Sequence, residues 1–305
     1  MLTITPKEEK TAVVHQYLLG SVSPRPICFA STISADGTPN IAPYSFFNCF
    51  SSNPPILIFS SNRTVANNTT KDTLANAHAT KEVVVNVVNH DIVRQMTVAS
   101  ISYPSDVNEF DKAGLTPIAS DLVKPFRIKE APVQMECKVN DIISLGNTGG
   151  AGNLIICEVL RMHINEEILD ENQQIDPHKI DLMGRMGRAF YCRASGDAVH
   201  KIYQNVTQIG IGADSLPLDV RFSEILTGND IGNLAAQTEL PSNEEITKIG
   251  ARHKLERLMV YYENDLPTLT KKLHLLAKQL IEAENAKEAL QMLMAFDTLK
   301  KKLYQ

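Results

Sequence analysis

From about Arg25 to His90 the chain alternates apolar and polar positions at the two-residue period of β-strands. The pattern is rich in β-branched and aromatic residues and recurs in four segments, residues 26–33, 39–45, 54–60 and 82–89. The run Ser34-Ala35-Asp36-Gly37 separates the first two segments and predicts a hairpin turn. Two longer strand patterns, residues 133–145 and 153–164, flank the glycine-rich run GNTGGAGN. These segments predict a sheet of antiparallel strands.

Short helices are predicted after some of these strands. Asp72 precedes a run rich in Leu and Ala, and Asp91 precedes a second short run that ends near Met96, so that each Asp can cap a helix. Residues 101–116 are polar and irregular, which favours a loop or lid.

From Ser242 the pattern becomes helical. Ser242 and Glu245 have the spacing of a capping box. Further on, four leucines repeat at helical spacing and form one apolar stripe, Leu269, Leu273, Leu276 and Leu280. This stripe packs either against its own domain or against a partner.

Several short strands with few helices between them favour a barrel or a sandwich over repeated βαβ units. The nearest approach to a dinucleotide fingerprint, Gly210-Ile211-Gly212, lacks the third glycine and a strand-to-helix context, which argues against a Rossmann domain. We therefore predict a mainly β domain over residues 1–210, a linker over 211–241 and a helical C-terminal extension over 242–305.

Composition and charge narrow the partners and the location. The net charge of -5 offers no basic footprint for nucleic acid or an anionic membrane. No run reaches the roughly 18 apolar residues that span a bilayer, and the N-terminus lacks the apolar core of a signal peptide. The 5 cysteines are scattered and include no C-x-x-C pair, which fits reduced thiols. We expect a cytoplasmic protein without nucleic-acid or membrane partners.

The run Ala42-Pro43-Tyr44-Ser45-Phe46-Phe47 can hold a flat heteroaromatic ring. Such a cofactor needs aromatic surface against its face and a few polar partners at its edge, and Pro43 leaves neighbouring main-chain groups unpaired. The alternative is structural: Phe46, Phe47 and Phe50 are core aromatics and Ser51-Ser52-Asn53 is a turn.

A second cluster can hold an anion. Ser60-Ser61-Asn62-Arg63 ends one predicted strand, and Lys71-Asp72-Thr73 begins the next predicted helix. Hydroxyl groups, a guanidinium, an ammonium and a helix N-terminus are the groups that phosphate prefers. The alternative is a solvated loop with a surface lysine.

Other motifs carry less chemistry. GNTGGAGN lacks the Lys-Ser/Thr of a phosphate-binding P-loop and predicts a flexible hairpin loop. The 8 histidines include no H-x-x-x-H pair and no Cys/His cluster, so no metal site is predicted.

Four motifs follow one another along the chain: PRPICFASTISADGTPNIAPYSFFNCFSSNPPILIFSS, KDTLANAHATKEVVVNVVN, EFDKAGLTP and KEAPVQMECKV. In this order they resemble the flavin reductase-like FMN-binding split-barrel family, which includes flavoredoxin-type proteins and flavin reductase components. The resemblance covers about residues 10–200 and leaves the helical extension outside.

The resemblance implies a six-stranded Greek-key split β-barrel that forms a homodimer with FMN at the subunit interface. It implies three groups of cofactor-binding residues and one later tyrosine. Arg25, Ser31 and Thr32 would lie beside the flavin; Pro43, Tyr44, Ser45 and Phe46 would touch the isoalloxazine; Ser60, Ser61, Arg63, Lys71, Asp72 and Thr73 would surround the phosphate; and Tyr191 would complete the pocket.

Two positions depart from the family pattern. Cys157 and Arg188 stand where the family usually has glycine, in Ile156-Cys157-Glu158-Val159 and Arg185-Met186-Gly187-Arg188. The substrate end of the pocket is therefore expected to differ.

The resemblance implies an FMN flavoprotein that accepts a hydride from NADH or NADPH and passes electrons to free flavin or another acceptor. Two other functions stay open: an electron-transfer flavoprotein reduced by a partner protein, and an FMN-binding protein without turnover. We assign no catalytic residue, because hydride transfer to the flavin requires no protein acid or base.

Overall fold

A computed structural model of the protein describes residues 1–202 and 207–303, and the chain divides into two compact units, Met1–His200 and Lys201–Gln305. The N-terminal unit contains the strands β1 Arg25–Pro26, β2 Cys28–Ile33, β3 Pro39–Tyr44, β4 Phe47–Ser52, β5 Pro55–Ser60, β6 Glu82–Val87, β7 Pro117–Ile118, β8 Arg127–Ile128, β9 Val133–Ser144, β10 Asn153–Ile164, β11 Met183–Arg185 and β12 Tyr191–Arg193. Its α-helices are α1 Thr11–Ser21, α2 Asp72–Thr80, α3 Val93–Ala99, α4 Glu109–Ala113 and α5 Pro177–Ile180.

Seven of these strands form one antiparallel sheet in the order β3-β2-β6-β9-β10-β5-β4. If the sheet were flat, its edge strands β3 and β4 would stand roughly 29 Å apart, because neighbouring strands are about 4.8 Å apart. Only Ser45 and Phe46 connect these two edges, and so short a connection spans at most about 11 Å. The sheet therefore curls until its edges meet at this turn, where Ser60 N–H also donates to Phe46 O at 2.8 Å. The result is a split β-barrel.

Successive side chains of β2 pack alternately into two different apolar cores. Cys28 and Ala30 belong to the core inside the barrel, which also contains Phe59 and Ile155. The intervening Phe29 belongs to a second core under α3 and α4. A strand buried on both faces loses the alternation of apolar and polar residues, so β2 reads as a nearly continuous apolar run.

The remaining strands form smaller sheets that extend the barrel. The order β1-β11-β12 brings Tyr191 and Arg185, which are directly paired, to the side of the barrel where β1 begins. Strands β7 and β8 form a separate two-stranded sheet.

The predicted strands are confirmed within a few residues, but β4 was missed. The main sheet has seven strands, whereas the resemblance implies a six-stranded barrel. The alternative that made Phe46, Phe47 and Phe50 core aromatics was also wrong in part. Phe47 is half-buried against the barrel core, whereas Phe46 and Phe50 are exposed by 37% and 63%. Ser51 and Ser52 belong to the strand and not to a turn.

Both predicted aspartate caps were wrong, although both helices are present. The N-cap residues of α2 and α3 are Lys71 and Ile92, and neither helix has a side-chain cap. Asp72 lies in the first turn of α2, where a carboxylate still interacts favourably with the helix dipole. Residues 101–116, predicted as a loop, contain α4, whose Asn108 side chain accepts from Phe110 N–H.

The glycine-rich loop is attached to the barrel rather than free. Gly150 N–H donates to Arg63 O at 3.0 Å, and Arg63 N–H donates to Ala151 O at 2.9 Å. A methyl group on Gly149 would lie 2.8 Å from Val65 O, so this position requires glycine for close approach. The predicted hairpin loop between β9 and β10 is confirmed, and these contacts hold it against the barrel.

The C-terminal unit is helical. It contains α6 Leu218–Arg221, α7 Gly228–Ala235, α8 Asn243–Arg252, α9 Leu255–Tyr261, α10 Leu266–Glu282 and α11 Ala286–Leu303. The capping box of Ser242 and Glu245 is confirmed at the start of α8. Leu269 and Leu273 are buried in the core of this unit, and Leu276 and Leu280 pack against the same core, so the leucine stripe packs within its own unit.

The predicted domain limits differ from the structure. The units separate between His200 and Lys201 and not at residue 210. Residues 211–241 were predicted as a linker, yet Leu216, Val220 and Leu234 are buried in the C-terminal core. Residues 203–206 of the predicted first domain and 304–305 of the predicted extension lie outside the described residues. Within the described ranges, no helix has the length and apolar character needed to cross a membrane.

Candidate functional site

A cleft of about 260 Å³ opens beside the N-terminus of α2. We call it the Lys71 cleft; its lining includes Pro43 from β3, Lys71, Asp72 and Thr73 from the start of α2, and Ser100, Tyr103, Ser105 and Glu109 from the segment after α3. Because β3, α2 and α4 converge here, residues far apart in the sequence share one surface.

A second cavity of about 190 Å³ shares Pro43 and Ser100 with the Lys71 cleft. We call it the Tyr191 pocket; Tyr44, Ser45, Arg185 and Tyr191 also line it. The Arg185 guanidinium lies over the Tyr191 ring, with its carbon 4.5 Å from the ring centroid. The two cavities together form a surface with polar groups at one end and aromatic groups at the other.

A buried polar network lies beneath the Lys71 cleft, and Asn40 is at its centre. Thr32 Oγ1 and Thr73 Oγ1 donate to Asn40 Oδ1 at 3.1 and 3.0 Å, and Asn76 Nδ2 donates to Thr32 Oγ1 at 3.1 Å. Asn40 Nδ2 in turn donates to Glu109 Oε1 at 3.0 Å. The network fixes the Thr73 side chain at the first turn of α2.

Glu109 closes this network on the other side. Its second carboxylate oxygen accepts from Ile41 N–H at 3.3 Å. Burial raises the pKa of Glu109, because the charged form loses hydration, although the hydrogen bonds from Ile41 and Asn40 oppose this effect.

Lys71 and Tyr44 meet between the two cavities. The Lys71 ammonium nitrogen lies 5.3 Å from the centroid of the Tyr44 ring, a cation–π distance. Desolvation by the surrounding protein lowers the pKa of Lys71 from its ordinary value. Burial raises the pKa of Tyr44 to about 12, and its hydroxyl lies 3.4 Å from Ser61 Oγ.

Arg25 and Phe46 lie near the turn that closes the barrel. Arg25 is buried and donates through Nη1 to Leu19 O at 2.8 Å and to Val22 O at 2.6 Å, while its Nε is 3.5 Å from Ser45 Oγ. The guanidinium carbon lies 5.9 Å from the centroid of the Phe46 ring. Burial, with a contribution from the like charge of Arg185, lowers the pKa of Arg25. Neither Arg25 nor Phe46 lines the two cavities.

Ser31 and Thr32 are fully buried in β2 and also line neither cavity. Thr32 acts through the Asn40 network. The Ser31 hydroxyl oxygen has no hydrogen-bond partner among the residues that the structure describes.

The predicted phosphate residues fall into two groups. Lys71, Asp72 and Thr73 line the Lys71 cleft, and Ser105 Oγ donates to Asp72 Oδ1 at 3.2 Å. The other three, Ser60, Ser61 and Arg63, do not line it. Ser60 Oγ donates to Asn62 Oδ1 at 2.8 Å, Ser61 is buried against Tyr44, and Arg63 Nε donates to Asn68 Oδ1 at 2.6 Å.

Cys157 and Arg188, the two positions that depart from the family pattern, lie in different environments. Cys157 lies inside the barrel and lines neither cavity, and burial raises the pKa of its thiol well above the ordinary value. Arg188 is exposed and adopts φ 55°, the left-handed conformation that favours glycine. The preceding Gly187 packs closely against α1, because a methyl group there would lie 3.1 Å from Gly20 Cα.

Sequence reasoning missed Asn40, Glu109, Ser100 and Arg185. Asn40 and Glu109 lie within motifs that carry the family resemblance, but no local pattern shows that they bond to each other. A polar residue at an inward position of β3 was the available signal for Asn40, since buried polar groups require partners.

A cluster that no motif predicted lies at the far end of β9 and β10. His163 Nε2 lies 2.7 Å from Glu136 Oε1 and 3.9 Å from Asp121 Oδ2. Burial alone would raise the pKa of Glu136, but hydrogen bonds from the Asp121 and Leu122 N–H groups and from His163 hold it below its ordinary value. Arg161 pairs with Asp121 at 2.8 Å, so these groups satisfy one another as an ion-pair network.

Known proteins are similar to this chain in sequence and in fold. A protein of Aquifex aeolicus is 42% identical over 197 residues, which cover 64% of this chain and 97% of that protein. Nitrilotriacetate monooxygenase component B from Bacillus cereus superposes with a TM-score of 0.61 at 30% identity, over 67% of this chain and 98% of that one. The 2-nitrobenzoate 2-nitroreductase NbaA of Pseudomonas fluorescens superposes with a TM-score of 0.59 at 26% identity, over 68% and 100%.

The structural matches confirm the split-barrel fold with short helices, to which this chain adds a helical C-terminal region. Residues 19–181, more than half of the chain, match the family described as flavin reductase like domain. Membership supports a flavin-binding oxidoreductase as the general class. The chain belongs to the flavin reductase-like domain family.

Proposed function

We propose that the chain binds FMN across the Lys71 cleft and the Tyr191 pocket and transfers a hydride from NADH or NADPH to it. One observation carries this function: a surface that bears the Lys71 ammonium group and several hydroxyl groups is continuous with an aromatic surface through Pro43 and Ser100. FMN has the matching polarity, with a phosphate at one end and a flat ring at the other.

The phosphate end is formed by Lys71, Thr73 and the N-terminus of α2. The ammonium group and the unpaired first N–H groups of a helix are suited to a phosphate, and Thr73, whose hydroxyl donates to Asn40, lies in the first turn of that helix. Two carboxyl groups also line this cleft. Asp72 accepts a hydrogen bond from Ser105, and Glu109 accepts hydrogen bonds from Asn40 and from Ile41 N–H, so both carboxyl groups already have partners within the protein.

The ring end is formed by Pro43, Tyr44, Ser45 and Tyr191. Bound FMN would supply the hydride-accepting chemistry, and the chain supplies orientation and exclusion of water. Tyr44 stays protonated at neutral pH, because burial raises its pKa to about 12, so its hydroxyl can act as a neutral hydrogen-bond donor. Ser45, close to the buried Arg25, can bond the polar edge of the ring.

We also propose a homodimer with FMN at the subunit interface. Apolar residues on the sheet support it: Phe50 on edge strand β4 is 63% exposed, and Leu160 and Met162 on β10 are 44% and 52% exposed. Exposed apolar surface of this kind marks protein interfaces. For Arg25, Ser31, Thr32, Phe46, Ser60, Ser61 and Arg63, which line neither cavity, contact with FMN stays a prediction.

The relatives give further support. One is named a monooxygenase component and another a nitroreductase, and both names describe redox chemistry. The acceptor of the electrons is free flavin or a redox partner protein. A cytoplasmic location fits the five free cysteines, Cys28, Cys49, Cys137, Cys157 and Cys192.

Anaerobic mixing of the purified full chain, loaded with FMN, with NADH, with NADPH or with buffer tests the function. Rapid loss of the flavin colour with either nicotinamide supports the reductase. Loss of colour only with dithionite would instead indicate an electron-transfer protein reduced by a partner, or a binding protein without turnover. A chain that fails to take up added FMN would contradict all three functions.

A further inference from the structure

The C-terminal unit contains a groove that the proposed redox function does not use. It has a volume of about 890 Å³ and lies between α8, the start of α9 and the C-terminal half of α11. The relatives described above are covered almost completely by about two thirds of this chain. The helical unit is therefore an addition to the family domain.

Two helix faces form the walls of this groove. Residues at helical spacing contribute on both sides, Asn243, Ile246 and Gly250 from α8 and Ala295, Leu299 and Lys302 from α11. Positions three, four and seven apart lie on one face of a helix, so each wall is a continuous face. No helix within residues 207–303 fills the space between these faces.

The floor of the groove is made of small residues. Gly250, Ala251 and Ala295 line it, and a methyl group on Gly250 would come no closer than 3.9 Å to Ala295 Cβ. Small side chains allow another helix to approach to the 8–10 Å axis separation of packed helices. Ile246 and Leu299 remain half-buried beside this floor and offer apolar contact.

The rim of the groove is positively charged. Lys254, Arg257 and Lys302 line it together with a single acid, Glu256. Other cations of this unit have acidic partners, such as Arg252 with Glu288 and Lys300 with Asp219. Lys254, Arg257 and Lys302 form no ion pair within the described part of the chain.

We propose that this groove binds an amphipathic helix of a partner protein, with an apolar face flanked by acidic residues. The apolar face would lie on the small-residue floor and the acidic residues would pair with the three rim cations. Recognition of a helix in a groove uses anchors at such three- and four-residue spacings. An acidic partner also fits the surplus of cations at the rim, because opposite charge speeds association and excludes basic competitors.

Fluorescence anisotropy with the full chain tests this proposal. The probe is a fluorescein-labelled helical peptide of about 16 residues, with Leu at every third or fourth position, Glu at the positions that flank this stripe and Ala elsewhere. A matched peptide with Lys in place of Glu serves as its control. We expect binding of the acidic peptide with a Kd below roughly 100 μM and at least tenfold weaker binding of the basic one.

Protein variants locate the binding site. Arg257→Glu reverses a rim charge at an exposed position of α9, and Lys248→Glu is its matched control on α8, outside the groove. We expect Arg257→Glu to weaken peptide binding about tenfold and Lys248→Glu to change it less than about twofold. Ala251→Leu, at an exposed position, fills the floor and should also weaken binding.

Three results would overturn the proposal: no binding of the acidic peptide at about 1 mM, equal binding of the basic peptide, or equal losses from Arg257→Glu and Lys248→Glu. Analytical ultracentrifugation of the same variants measures self-association and tests whether a second copy of the chain occupies the groove. Self-association that disappears with Arg257→Glu, without peptide binding, would assign the groove to a second copy of this chain instead.

Discussion

The ammonium nitrogen of Lys71 lies 5.3 Å from the centre of the Tyr44 ring. Lys71 is the N-cap residue of α2, and Tyr44 ends β3. Their contact brings the end of the cleft that suits a phosphate next to the end that suits an aromatic ring. Lys71 from the predicted anion cluster and Tyr44 from the predicted aromatic wall thus belong to adjoining parts of one surface.

Lys71→Ala is expected to raise the Kd for FMN about tenfold to a hundredfold, because a hydrogen bond to a charged group contributes roughly 1.5–3 kcal/mol. Arg63→Ala is expected to have a smaller effect, since its guanidinium already donates to Asn68 at 2.6 and 2.7 Å. The double variant should lose affinity by at least as much as Lys71→Ala. Quenching of flavin fluorescence measures the affinity, with Lys112→Ala as an exposed control. A larger loss from Arg63→Ala than from Lys71→Ala would contradict this order.

Because of Tyr44, the folded chain is expected to become less stable at alkaline pH. Burial raises the pKa of Tyr44 from 10.0 to about 12, so the folded chain keeps this proton after the unfolded chain has lost it. The stabilising effect is complete below pH 10 and is lost as the pH rises from about 10 to about 12, by roughly 2–3 kcal/mol.

Calorimetry of wild type and Tyr44→Phe across this range measures the effect. The unfolding temperature of the wild type should fall more steeply than that of Tyr44→Phe, and Tyr17→Phe, at an exposed position, should behave like the wild type. Parallel curves for wild type and Tyr44→Phe would show that Tyr44 ionises normally.

Asn40→Ala is expected to destabilise the N-terminal unit by about 2–4 kcal/mol. The substitution leaves the buried Thr32, Thr73 and Glu109 groups without their shared partner, and each buried unsatisfied group costs roughly 1–3 kcal/mol. Hydrogen exchange of peptides from β2 and β3 in the full chain measures the change. Asn172→Ala, in an exposed turn, is the control. Wild-type protection in Asn40→Ala would mean that the network is not formed.

Arg188→Gly is expected to stabilise the chain by about 0.5–1 kcal/mol. A left-handed conformation costs a residue with a side chain roughly 1–2 kcal/mol, and the entropy lost by glycine offsets part of the gain. Ala189→Gly is the matched control, because Ala189 is equally exposed and does not adopt a positive φ. Ala189→Gly should lower the stability of the chain. Hydrogen exchange of peptides from β11 and β12 measures the change in both variants. Equal changes in both variants would refute this explanation.

Local patterns predicted the elements whose signals are local. The hairpin of β2 and β3 follows from Asp36-Gly37 between two apolar runs, and the capping box of Ser242 and Glu245 follows from two residues three apart. Strand β4 was missed because an edge strand with mostly exposed residues has no clear alternation. Residues 211–241 were predicted as a linker although they are folded. Their helices are short and become stable only by packing Leu216 and Leu234 into a shared core, so the local pattern gave no clear helical signal.

The sequence by itself determined the family, the barrel class and the order in which the aromatic wall and the anion-binding residues follow one another. It could do so because strand periodicity, turn residues and motif order are properties of short segments. Only the tertiary structure decided which of those residues share a surface. It joined Asn40 to Glu109, turned Arg63 towards Asn68 and left Lys71 facing Tyr44. These outcomes depend on strand pairing and on burial between distant segments, where each buried polar group takes whichever partner the fold brings within reach.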